Sequence, residues 1–146
     1  MAKPFRFRLD KVLDYRRQLE DQAKLDLAEA QRLHDRQAAR TLEVENALKR
    51  HLRKQWAENA TAGELWLWRQ YKAALEQDLV DARAELARLA LKLQKCRQDL
   101  VQRSKERKLL ETLKDKQAKR HTHEEGLREQ KEYDELAALR HPREDV

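Results

Sequence analysis

Between residues 65 and 100 the chain places Leu65, Trp68, Lys72, Leu75, Leu79, Ala82, Leu86, Leu89, Leu93, Cys96 and Leu100 at alternating steps of three and four. Ten of these eleven side chains are apolar. A stripe that repeats every 3.5 residues keeps facing one partner only when helices wind around each other left-handedly, so the segment reads as one strand of a coiled coil. An ordinary amphipathic helix on a globular core would show a wider apolar face and would need other elements to cover it. Composition points the same way: charged residues make up 41% of the chain and aromatics 5%, too little apolar mass for a compact core. Disorder is disfavoured as well, because there are only two prolines and two glycines and strong helix formers dominate.

The first half has a less regular stripe: Leu9, Val12, Leu13, Leu19, Ala23, Leu27, Ala30, Leu33, Val44, Leu48, Leu52 and Trp56, interrupted by polar Gln37 and Thr41. Between the halves, Thr61 followed by Glu64 is a capping-box pattern in which hydroxyl and carboxylate each bond the other residue's backbone N–H. The expected architecture is all-α, a single domain over residues 1–146. Helix one runs from about 9 to 58, the turn lies at about 59–62, and helix two runs from about 62 to 140, ended by His141-Pro142. A short connection makes neighbouring helices antiparallel, giving a coiled-coil hairpin whose second helix is the longer. Pairing across a turn near residue 60 sets Leu9 opposite roughly residue 111, so about 25 residues of helix two, some 40 Å, project beyond the first. That overhang, from His121 onward, lacks the seam and contains Gly126, and an isolated helix of its composition should fray without a partner.

Formal charge is +6 but uneven: residues 1–20 carry six basic and three acidic groups, residues 101–120 eight and three, and residues 121–146 four and eight. One end therefore holds most of the positive charge, which suggests an anionic partner surface. Within 101–120 no aromatic side chains interleave for base stacking, so a protein-facing or solvated basic end is the better reading and no nucleic acid is expected. Cys96 is the sole cysteine and sits on the seam as a small hydrophobe. No phosphate loop, nucleophile arrangement or metal-ligand spacing is present, His121 and His123 are too far apart around a helix to share a metal, and neither catalysis nor a cofactor is expected. No apolar run reaches the length of a membrane span and the N-terminus lacks a signal-peptide pattern, so a cytoplasmic protein is expected. Trp56, Trp66, Trp68 and Tyr71 gather at the turn end, either as an exposed anchor for a partner or as a plug closing a thin coiled coil.

The opening Phe5-Arg6-Phe7-Arg8-Leu9-Asp10-Lys11-Val12-Leu13-Asp14-Tyr15-Arg16 resembles the start of the FliJ family of flagellar type III export components. The later stretches Glu111-Thr112-Leu113-Lys114-Asp115-Lys116 and Glu129-Gln130-Lys131-Glu132-Tyr133-Asp134-Glu135-Leu136-Ala137 resemble its other end, so the likeness spans the chain. The resemblance implies a non-enzymatic stalk, similar to the gamma subunit of rotary ATP synthases, with both termini entering the hexameric export ATPase FliI. It further implies contact with the export-gate protein FlhA at the inner face of the membrane, coupling of ATP hydrolysis to export, and a link to export chaperones. The ring-facing set is then Arg6, Arg8, Arg103, Arg107, Lys108 and Lys114, with Gln130 and Asp134 from the tail. The gate-facing set, matched by position, is Gln37, Thr41, Val44, Leu48, Tyr71, Leu75, Asp78 and Ala82, with Thr41, Val44 and Leu48 departing from the larger or aromatic residues of the family pattern. Reversing the charge of Arg103, Arg107, Lys108 and Lys114 is expected to abolish ATPase stimulation and leave melting unchanged. The rival readings are a stalk or tether of a related secretion or rotary ATPase machine, and a basic helical arm for nucleic acid.

Overall fold

The computed structural model describes residues 3–140, and its only regular elements there are two helices, α1 (Asp10–Leu52) and α2 (Ala62–Arg140). The expected stop signal, His141-Pro142, lies outside the described residues. The chain divides into two units: residues 21–101, which hold the turn, and residues 1–20 together with 102–146. In each unit the two helices lie antiparallel against one another.

In the turn unit every one of the eleven stripe positions from Leu65 to Leu100 is buried or half-buried, with Leu75, Leu79, Ala82, Leu89 and Leu93 buried outright. The facing row of α1 is more regular than its apolar residues alone suggest. Stepping by fours and threes from Ala23 through Leu27, Ala30, His34, Gln37, Thr41, Val44 and Leu48 to His51, each position is buried or half-buried. Gln37 and Thr41 thus belong to the seam and do not interrupt it. A buried amide or hydroxyl is costly unless bonded. Gln37 Nε2 donates to the Ala82 carbonyl across the pair at 3.1 Å, and the Thr41 hydroxyl donates to the Gln37 carbonyl at 2.8 Å. The methyl side chain of Ala82 leaves its backbone oxygen within reach.

α1 ends at Leu52, not at the expected residue 58. The helix closes there in a tightened turn, Arg53 N on the Arg50 carbonyl and Lys54 N on the His51 carbonyl, whose second lone pair accepts from the Trp68 indole Nε1–H at 3.1 Å. Beyond it the chain leaves the helical path and Trp56 returns edge-on to Trp68, centroids 5.7 Å apart. α2 then starts at the capping box. Thr61 Oγ1 accepts from Glu64 N at 3.2 Å, and Glu64 Oε2 accepts from Thr61 N at 3.4 Å.

The other unit has a different kind of seam. Leu13 is fully buried and Phe7 nearly so, yet the next α1 positions at heptad spacing are Arg16 and Glu20. On α2 the row continues past Leu100 as Arg103, Arg107, Leu110 and Lys114, all half-buried. Ion pairs cross between the helices along this row and beside it: Arg16–Glu106 at 2.9 Å, Glu20–Arg107 at 2.7 Å, Arg17–Glu111 at 3.4 Å and Asp10–Lys114 at 2.8 Å. Ahead of α1 the N-terminal segment lies along α2, with the His121 ring nitrogen Nε2 2.8 Å from the Lys3 carbonyl and the Phe5 and His121 rings 5.7 Å apart. That segment extends the covered part of α2 from Lys114, paired with Asp10, to His121. The unaccompanied part of α2 accordingly begins at Gly126 and not at His121; residues 126–140 are helical and exposed throughout.

Candidate partner-binding surfaces

In the unit built from both ends of the sequence, the ring-facing set separates by what each side chain already does. Arg107 donates from Nε to Glu20 at 2.7 Å and from Nη1 to Glu111 at 2.7 Å, with its side chain only 22% exposed. Its guanidinium is held above its ordinary pKa, first by the bond to Glu20 and then by Glu111. Arg103 bonds Glu106, and Lys114 bonds Asp10 at the N-terminus of α1, where the aspartate also suits the helix dipole. Arg107 and Lys114 tie the two helices directly and Arg103 supports the Glu106 carboxylate that Arg16 holds from α1, so reversing them should lower melting, contrary to the expectation from sequence. Lys108 is exposed, as are Arg6 and Arg8 before α1 and Gln130 and Asp134 on the unaccompanied stretch.

Lys108 belongs to a surface that sequence reasoning did not single out. Lys105, Lys108, Leu109, Thr112, Leu113 and Lys116 line a shallow groove on one side of α2. Leu109 is 72% exposed, so this apolar strip with lysines on its margins is not spent on the hairpin. The signal in the sequence was a leucine pair at positions 109 and 113, four apart and off the heptad row, with lysines at 105, 108 and 116 on the same side.

In the turn unit the gate-facing set is likewise divided. Thr41, Leu75 and Ala82 are buried in the seam, Gln37, Val44 and Leu48 are half-buried along its edge, and Tyr71 and Asp78 are exposed. Gln37, Val44, Asp78 and Ala82 line one shallow groove together with Arg40, Asp81 and Glu85, which gives it mixed charge at the rim. Three of the four aromatic residues at the turn form the plug. Trp68 stacks on His51 with centroids 4.9 Å apart, His51 meets the Tyr71 ring edge-on at 4.8 Å, and Trp56 closes over Trp68. His51 Nε2 lies 2.9 Å from the Trp68 carbonyl, completing a reciprocal clasp with the indole bond already described. Trp66 takes no part in this plug and stands 61% exposed.

Two histidines are therefore structural: His51 ties the end of α1 to α2, and His121 fastens the N-terminal segment. His141 lies outside the described residues. No helix among the described residues is long and apolar enough to cross a membrane.

The family profile described as flagellar FliJ protein matches residues 5–145, nearly the whole chain. No curated protein and no solved structure matches. With two antiparallel helices of unequal length carrying the family pattern almost from end to end, the chain belongs to the FliJ family of flagellar export components.

Proposed function

We propose that this chain is the stalk of the flagellar export machine, held by the hexameric export ATPase through the unit that joins residues 3–20 to 102–140. The observation that carries this reading is the exposed basic and apolar face of α2, Lys105, Lys108, Leu109, Leu113 and Lys116, lying outside a seam already fastened by ion pairs. A ring lined with carboxylates would attract such a face electrostatically and then bury its leucines. Arg6, Arg8, Gln130 and Asp134 are exposed in the same unit and extend the contact. The stretch 126–140 has no neighbour in its own chain among the described residues, and enclosure in a ring would supply one. Contact with the export gate is assigned to the groove around Gln37, Val44, Asp78 and Ala82 and to exposed Tyr71, and through these two contacts ATP hydrolysis is linked to export at the inner membrane face. Catalysis belongs to the ATPase and not to this chain.

The test is stimulation of the purified export ATPase by the full chain. K105E/K108E/K116E should abolish stimulation and melt like the native protein, because none of the three joins the helices. Undiminished stimulation by that variant would refute the assignment of this face.

A further inference from the structure

α2 carries a second stripe at coiled-coil spacing, on the side away from the seam. Starting at Trp66 and stepping by fours and threes to Val101, eleven positions follow without one charged residue, in a chain that is 41% charged. Trp66, Val80, Leu91 and Val101 are the large members, and alanine or glutamine fills the other seven places. All eleven are exposed, the four large ones at 61%, 59%, 74% and 53%. The corresponding outer row of α1 in the same unit has no such property, since it holds Asp21, Arg32, Asp35 and Lys49. Solvated outer positions of a two-helix coil ordinarily carry charge, so the exclusion of charge from one row alone calls for a reason other than solubility.

We infer that this stripe is a docking seam for a third helix, contributed by another polypeptide whose own apolar stripe is flanked by acidic residues. Spacing selects the shape of the occupant. Over five heptads and about 53 Å a 3.5-residue repeat stays in register with a helix and with nothing extended. The alanines allow close approach, and the glutamines can bond across without the cost of a buried charge. The margins select its charge. Arg69, Arg83, Arg88, Lys95 and Arg97 stand on the two rows beside the stripe against Glu76 and Asp81. Arg88 shares its charge with Glu85, which leaves the margin of Arg69, Glu76, Arg83 and Arg97 net basic and that of Asp81 and Lys95 balanced. Acidic flanking positions on the incoming helix complete the basic margin, while a second copy of this chain would bring no acidic margin to meet it. The stripe lies wholly within residues 21–101 and shares no residue with the proposed ring or gate contacts, so the inference stands apart from the proposed function.

The test uses the full chain and a synthetic five-heptad helix with leucine at both core positions and glutamate at both flanking positions, titrated by calorimetry. One-to-one binding is expected, weakened about tenfold or more when the flanking glutamates become lysines, and by as much in V80E/L91E. V80Q/L91Q, which keeps the row uncharged, should retain folding by circular dichroism and lose less affinity than the charged variant. Absence of binding by the acidic peptide, or equal binding to V80E/L91E, would overturn the inference. So would a native dimer that V80E/L91E dissolves, because the stripe would then be filled by a second copy.

Discussion

Replacing Arg107 with leucine isolates the term that fastens the charged seam. The native guanidinium bonds Glu20 at 2.7 Å, with that carboxylate side chain 7% exposed, and bonds Glu111 at the same distance. Removing one member of a buried ion pair costs 3–5 kcal/mol when both partners are fully enclosed, because desolvation of the remaining charge is no longer compensated. Arg107 is itself 22% exposed, which places the expected loss for R107L at the low end, about 3 kcal/mol. For a chain of this size that corresponds to a fall in Tm of roughly 10 °C. The companion variant E20L/R107L removes both charges and sets two leucines on the heptad rows. Exchange of a buried pair for packed apolar groups is neutral to stabilising by about 1–4 kcal/mol, so the double variant should melt at or above the native protein. Thermal and urea unfolding followed by circular dichroism would measure both, and the double-mutant cycle gives the coupling. The reasoning fails if R107L melts within experimental error of the native chain, or if E20L/R107L is less stable than R107L.

Two further outcomes follow from the same geometry. The Glu106 carboxyl is held below its ordinary value of 4.5, first by the Gln102 amide and further by Arg16 and Arg103. A carboxylate with a lowered folded pKa contributes stability that is complete above its unfolded pKa and disappears as pH falls through the folded one. Melting should therefore stay flat from neutrality down to about pH 5 and decline below about 4.5. E106Q should flatten part of that acid limb, and identical pH profiles for the two proteins would contradict the assignment. At Gly126 a Cβ would meet nothing within 4 Å and no positive φ is required. G126A should stabilise the unaccompanied stretch by about 1 kcal/mol, slowing amide exchange at 127–140 about fivefold. Unchanged exchange would mean that the stretch does not open by helix fraying.

The α2 seam from Leu65 to Leu100 was legible in the sequence because ten of its eleven positions are apolar at 3.5 spacing, whereas its continuation through Arg103, Arg107 and Lys114 was hidden by charge. The α1 seam was only half legible. Gln37 and Thr41 read as interruptions, and Arg16, Glu20 and His51 were not recognised as seam positions, since their burial depends on partners on the other helix. Leu9, Val12 and Leu52 misled in the opposite sense: all are apolar, yet each stands more than a third exposed. Helix propensity favoured continuation of α1 past Leu52, yet it closes in a tightened turn at Arg50 and His51 that the Trp68 indole braces from the other helix. The same blindness to long-range pairing affected the candidate site. Net charge showed that residues 101–120 were basic, but not that Arg107 and Lys114 were committed to Glu20 and Asp10, leaving Lys105, Lys108 and Lys116 to face a partner.

The fold-back of one chain on itself underlies every surface described, and covalent capture tests it most directly. With Cys96 changed to serine, cysteines at Gln31 and Arg97, whose solvent-reached side chains meet across the two helices at 3.2 Å, should be joined by a short bismaleimide within a single polypeptide. A cross-linked species of monomer mass and altered mobility is expected at every protein concentration. Cross-linked dimers, or no reaction between the two positions, would contradict the hairpin.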